Sequence, residues 1–209
     1  LFRSREVLRR FLDADPRVTL YGQDIEDPKG DVFGLTRGLS TAHPGRVINA
    51  PLSESTIVGV SIGRALAGGK PVACIQFADF LPLAFNQIVN ELGSIHWRSH
   101  GGWSCPVVIL APCGGYRPGL GPFHAQTFEG LLAHTPGLDV YMPSNAADAA
   151  GLLATALRST RPSVLLYPKV CLNDTQLAAP WNSLGSCVTP GQDRKSTRLN
   201  SSHVALSRM

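Results

Sequence analysis

Short apolar, β-branched-rich runs alternate with segments of helical spacing along most of this chain. That alternation restricts its fold more than any other feature. The runs lie at residues 18–22, 46–50, 71–77, 106–111, 137–142 and 163–167. Between and around them, apolar residues recur at helical intervals over residues 2–12, 54–67, 79–97, 126–133 and 146–157. Parallel strands need a long crossover, usually a helix, between them. The pattern therefore predicts an α/β fold: a parallel sheet with helices on both faces. Apolar residues make up 44% of the chain and charged residues only 16%, as a sheet buried on both faces requires.

In such sheets the chemistry collects beyond the carboxyl ends of the strands. Three stretches fall there. Glu54 follows the second run in Val-Ile-Asn-Ala-Pro-Leu-Ser-Glu. Gln76 to Phe80 follow the third. A Gly/Pro-rich loop, residues 112–123, follows the fourth and ends at His124. Ser53 is placed to cap the helix that Glu54 begins. On local grounds Glu54 is either an acid complementing the helix dipole or a buried acid with a chemical role. His124, just before a helix, is equally open. The polar, acidic stretch 23–36 is too long for an ordinary connection and reads as a functional or a disordered loop.

Charge and cysteine usage remove several classes. The net charge of +4 lies in residues 194–209, which carry Arg194, Lys195, Arg198 and Arg208 and no acid. The rest is neutral, so the basic balance does not point to nucleic acid. Five cysteines at unrelated spacings form no CxxC and argue for free thiols rather than a disulfide frame or zinc site. No apolar run approaches the ~18 residues of a membrane span, and the opening residues do not resemble a signal peptide. A soluble, cytoplasmic protein with no metal site of its own is expected.

Other motifs are weaker. Gly59-Val60-Ser61-Ile62-Gly63 fits the G-x-S-x-G of a serine hydrolase, and Asp79 and His124 follow in triad order. That elbow needs a strand, a sharp turn and then a helix, whereas here helical spacing runs straight through. Small residues on a packed helix account for it better. His96 and His100 are four apart, but no third metal ligand is evident. Gly115, Gly119 and Gly121 do not form a phosphate-binding GxGxxG.

Three ordered segments, PLSESTIVGVSIGRALAG, IQFADFLPLAFNQIVNELGSIHWRS and GLGPFHAQTFEGLLAHTPGLDVYMPS, carry a family resemblance. Together they resemble the β subunit of thiamine-diphosphate-dependent 2-oxo acid dehydrogenases, the E1 component, in its transketolase-like pyrimidine-binding domain. The IQFADF run is closer to the branched-chain type than to the pyruvate type. The stretch YGQDIEDPKGDVFGLTRGL is similar to bacterial E1 chains in which α and β parts are fused. The likeness covers about residues 5–175.

The resemblance implies a cofactor, partners and roles. Glu54 takes the place of the glutamate that hydrogen-bonds the aminopyrimidine ring nitrogen and so promotes loss of the thiazolium C2 proton. An acid in that role needs a dry cleft, since a solvated carboxylate relays protons poorly. Leu52 and Gln76 fall beside the pyrimidine. Phe80 stands where an aromatic ring stacks on it, a tyrosine in branched-chain relatives. His124 matches the histidine that handles the substrate or the lipoyl acceptor, a role suited to imidazole. The diphosphate and its Mg²⁺ would be held by an α-type E1 subunit or domain. A second β-type copy, a lipoyl-bearing E2 and a 2-oxo acid are the other implied partners. Segment 79–97 is expected at a subunit interface. Residues 1–175 would form the domain, 176–192 a linker toward a further C-terminal domain, and 193–209 a tail foreign to it. The alternatives are a serine hydrolase using Ser61 and a non-catalytic interaction module.

Overall fold

The computed structural model describes residues 2–172. Six strands form one parallel sheet: β1 (Val18–Gly22), β2 (Val47–Asn49), β3 (Lys70–Cys74), β4 (Val108–Cys113), β5 (Asp139–Tyr141) and β6 (Ser163–Pro168). Their order across the sheet is β2-β1-β3-β4-β6-β5. All five pairings are parallel, as the alternation predicts. The linker and the tail expected beyond residue 175 lie outside the described residues.

Alternate residues of each strand supply two cores. On one face Leu20, Val72, Val108, Leu110 and Leu165 pack with Val7, Leu8 and Leu12 of α1 (Phe2–Ala14) and Leu152, Leu153 and Leu157 of α6 (Ala146–Arg158). On the other, Ala73, Ile109, Ala111, Val164 and Leu166 meet Ile57, Val58 and Ile62 of α3 (Glu54–Leu66). Both faces are covered, so the central strands are apolar without alternation. Asn145 caps α6, its side-chain oxygen accepting the Ala147 and Asp148 N–H groups, each at 2.9 Å. Two short helices, α2 (Leu39–Ala42) and α5 (Glu129–Ala133), sit in the connections. The α5 helix is shorter than the span 126–133 that the periodicity suggests.

The long helix expected over 79–97 is broken. A 3₁₀ segment covers Ala78–Ala84, a π-helical turn Asn86–Leu92, and α4 only Ile95–Arg98. Pro82 lies inside the 3₁₀ segment and has no N–H to give a regular helix. Apolar spacing survives this break, which is why the periodicity conceals it. Residues 23–36 are organised by two aspartates. Asp27 accepts from the Gly38 and Thr41 N–H groups and from the Ser40 and Thr41 hydroxyls. Asp31 accepts from the N–H groups of Phe33 and Leu35 at 2.8 and 3.1 Å. Burial raises the Asp31 pKa, and these N–H bonds oppose the rise.

The turn before β5 is locked by close backbone approach. Gly137 has φ +83°, and a Cβ there would stand 2.0 Å from the Gly93 carbonyl oxygen. A left-handed conformation and a backbone collision coincide, so Gly137→Ala should destabilise the fold by about 3 kcal/mol or more. A fall in the urea midpoint at unchanged slope is the expected result; an unchanged midpoint would refute this account of the turn.

Candidate functional site

The strand order reverses direction at β1. From β1 the chain steps outward to β2, then crosses back to β3 on the other side of β1. A crevice at the carboxyl ends of β1 and β3 follows from that reversal. Gln76, just past β3, donates from Nε2 to the carbonyl of Gln23, just past β1. This bond ties the two lips of the crevice together.

Glu54 opens α3 at the same end of the sheet. It is buried, with 5% of its surface exposed. Among the described residues no hydrogen bond or ion pair reaches its side chain. A buried carboxyl without a protein partner is costly, and such groups mark places where a ligand supplies the missing contact. Ser53 occupies the cap position but makes no capping bond; its hydroxyl pairs with Thr56 Oγ1 at 2.9 Å. Leu52, by contrast, is 73% exposed. An apolar side chain that open beside the crevice is available to a ligand or a neighbouring subunit.

Phe80 and His124 come together around Phe77. The Phe77 ring meets His124 edge-to-face at 4.8 Å and Phe80 at 5.9 Å, and Phe80 meets His124 at 5.8 Å. Phe33, held by the Asp31 turn, adds edge contacts of 5.9 Å to both Phe77 and Tyr116. Stretch 23–36 is therefore ordered against the aromatic group. Each such ring pair contributes roughly 0.5–1.5 kcal/mol beyond area burial. No hydrogen bond or ring contact joins Glu54 or Leu52 to this group among the described residues. They lie instead at the start of α3, beyond the carboxyl end of β2.

Two charged residues complete the group: Lys169, which the sequence reading passed over, and Asp79, which it weighed in another role. Lys169, just past β6, is only 4% exposed. Its Nζ lies 4.7 Å from the Phe77 ring centre and 5.7 Å from that of Tyr116. It also donates to the His124 carbonyl. Burial lowers its pKa, and the Asp79 carboxylate opposes that. Asp79 Oδ1 accepts the N–H groups of Ala125 and Gln126, both at 3.0 Å. No sequence spacing links residues 79, 124 and 169; the sheet order brings them together.

Ser61 is no nucleophile. It is fully buried in the middle of α3, and its Oγ donates to the Ile57 carbonyl at 2.8 Å. The helix runs through it without the strained turn that an elbow requires. His96 Nδ1 lies 3.0 Å from the Trp103 carbonyl oxygen, away from the crevice. Among the described residues, no group of three His, Cys, Asp or Glu side chains could hold a metal. Cys74, Cys105 and Cys113 are buried free thiols; burial pushes Cys113 up to about 12. No helix of the described residues is long and apolar enough to cross a membrane.

Comparison with known proteins places the chain in a family. The chain is 44% identical over 163 residues to the 2-oxoisovalerate dehydrogenase subunit beta of Bacillus subtilis (strain 168), covering 78% of this chain and 49% of that one. It is 34% identical over 196 residues to the pyruvate dehydrogenase E1 component subunit beta of Staurastrum punctulatum, covering 90% and 59%. The chain thus spans about half the length of the curated relatives it matches. A solved split-gene transketolase, an inactive beta4 tetramer, superposes with a TM-score of 0.71 at 20% identity, covering 92% of this chain and 56% of that one; it shares the fold. The family described as transketolase, pyrimidine binding domain, matches residues 3–174, and the chain belongs to that family.

Proposed function

We propose that this chain is the pyrimidine-binding part of a β-type E1 component of a 2-oxo acid dehydrogenase. Its reaction is thiamine-diphosphate-dependent oxidative decarboxylation with acyl transfer to a lipoyl group on E2. The observation that carries this reading is Glu54: a buried carboxyl, without a protein partner among the described residues, at the mouth of the crevice. The names of the relatives above support the reaction class.

The residues present fit the pyrimidine end of the cofactor. Glu54 offers one carboxyl to a ring nitrogen from a residue with 5% of its surface exposed. Phe80 offers a flat apolar surface, steadied by Phe77 and His124. Gln76 holds the crevice lips, and Leu52 stands open beside Glu54. When bound, thiamine diphosphate supplies a thiazolium carbon that adds to the 2-oxo acid and accepts the electron pair released with CO₂. Glu54 holds the proton relay at the aminopyrimidine nitrogen. His124 moves a proton at the acceptor end of the site. The diphosphate and its Mg²⁺ belong to an α-type subunit or domain, which closes the crevice from outside. A second β-type copy, with segment 79–97 at the interface, completes the assembly.

In the full-length enzyme assembled with its α-type partner, Glu54→Gln should lower 2-oxo acid decarboxylation by about 10²–10⁴-fold, the range for loss of a positioned acid–base group. Turnover within a few-fold of wild type would sink the assignment. Phe80→Ala should weaken thiamine diphosphate binding by about 1 kcal/mol, several-fold in Kd. Calorimetric titration of the assembled enzyme reads this directly, and an unchanged Kd would remove Phe80 from the cofactor wall.

A further inference from the structure

Lys169 and Asp79 grip the same short stretch of backbone. Three consecutive residues carry the grip. The His124 carbonyl accepts from Lys169 Nζ, and the Ala125 and Gln126 N–H groups donate to Asp79 Oδ1. A cation thus holds the acceptor side of the strip and an anion holds the donor side. Each contact is a charge-assisted hydrogen bond, roughly twice as strong as a neutral one. The second Asp79 oxygen is buried and has no hydrogen-bond partner among the described residues. Lys169 also stands over the Phe77 ring whose neighbour is the His124 imidazole.

This arrangement is expensive if packing is its sole purpose. A buried ammonium and a half-satisfied carboxylate both carry desolvation costs, and apolar residues would fill the same space without them. What apolar residues could not do is fix a carbonyl and two amides in one orientation. That orientation sets where the His124 ring stands against Phe77 and Phe80.

We propose that Lys169 and Asp79 are positioning residues: clamping residues 124–126, they hold the His124 imidazole in place for the transfer of the acyl group to lipoyl. The inference rests on the reading of His124 given above. In that transfer one sulfur of the lipoyl disulfide gains the acyl group. The electron pair left when CO₂ departed forms the carbon–sulfur bond as the S–S bond breaks, and the other sulfur takes a proton; the acyl carbon's hydroxyl then loses its proton and the bond to the cofactor carbon breaks, its electron pair returning to that carbon. The clamp therefore acts on the second half of the reaction, where His124 works, and not on the first, where Glu54 works.

The test compares two assays on the full-length enzyme with its α-type partner. One is decarboxylation linked to an artificial dye acceptor; the other is acylation of a free lipoyl domain. Lys169→Met should lower the ratio of lipoyl acylation to dye-linked decarboxylation by about tenfold, and Lys169→Arg, which keeps a donor, should restore most of it. In a His124→Ala background, Lys169→Met should change the ratio by less than about twofold, because its effect passes through the missing ring. Asp79→Ala makes the same comparison from the other side of the strip and serves if Lys169→Met fails to fold. Proportional loss of both activities, or an undiminished Lys169→Met effect without His124, overturns the clamp. If His124→Ala alone leaves lipoyl acylation at the wild-type rate, the His124 reading fails first, and the clamp's role falls with it.

Discussion

A parallel strand cannot return through a tight turn, so each of the five connections between successive strands must be a crossover that lies over the sheet. This constraint sets the rest of the molecule. It demands apolar residues on both strand faces, which Val108 to Leu110 and Val164 to Leu166 supply. It also starts every crossover at the carboxyl edge. There the chain must leave the sheet, turn and begin a new element. Backbone groups and polar side chains are unavoidable at that edge, while the faces stay dry. Where the strand order reverses beside β1, two crossovers diverge and leave a crevice.

That edge concentrates two kinds of costly group. Glu54 is buried at the first turn of α3 with no protein partner among the described residues. Lys169 and Asp79 are charges drawn into an aromatic group, with the His124 strip between them. Elsewhere, the ion pairs are ordinary surface contacts, such as Arg161 with Asp139 and Arg17 with Asp15. Buried charged groups gathered at one end of a sheet are more often functional than structural. The two sets also divide by position: Glu54 stands at the start of α3, and the His124 imidazole stands with Phe77 and Phe80. Such a division suits a reaction whose first half activates a cofactor and whose second hands on a product.

The strands were legible because β-branched runs bounded by Gly and Pro leave little else to form, and the covered sheet followed from their alternation with helices. Glu54, Phe80 and His124 were legible as candidates because each directly follows a strand or the loop that leaves one. Three things were not legible. The break in residues 79–97 was hidden because a 3₁₀ segment and a π-turn can keep the apolar spacing of a regular helix while Pro82 removes a hydrogen bond. Lys169 was hidden because a lysine in Tyr-Pro-Lys-Val reads as a surface charge; only the placement of β6 beside β4 carries it over Phe77. Asp79 drew notice only through a serine-hydrolase order that the helical spacing argued against, whereas its Oδ1 accepts the amides of residues 125 and 126. In each case the deciding contact joins residues distant in sequence or lies below the resolution of periodicity.

The central claim is that Glu54 promotes loss of the thiazolium C2 proton. The most direct measurement is the exchange of that proton for deuterium in thiamine diphosphate bound to the assembled full-length enzyme, followed by quenched-flow NMR without substrate. Glu54→Gln should slow this exchange by at least about 100-fold while leaving the cofactor bound. Exchange at the wild-type rate in the fully loaded Glu54→Gln enzyme would contradict the account.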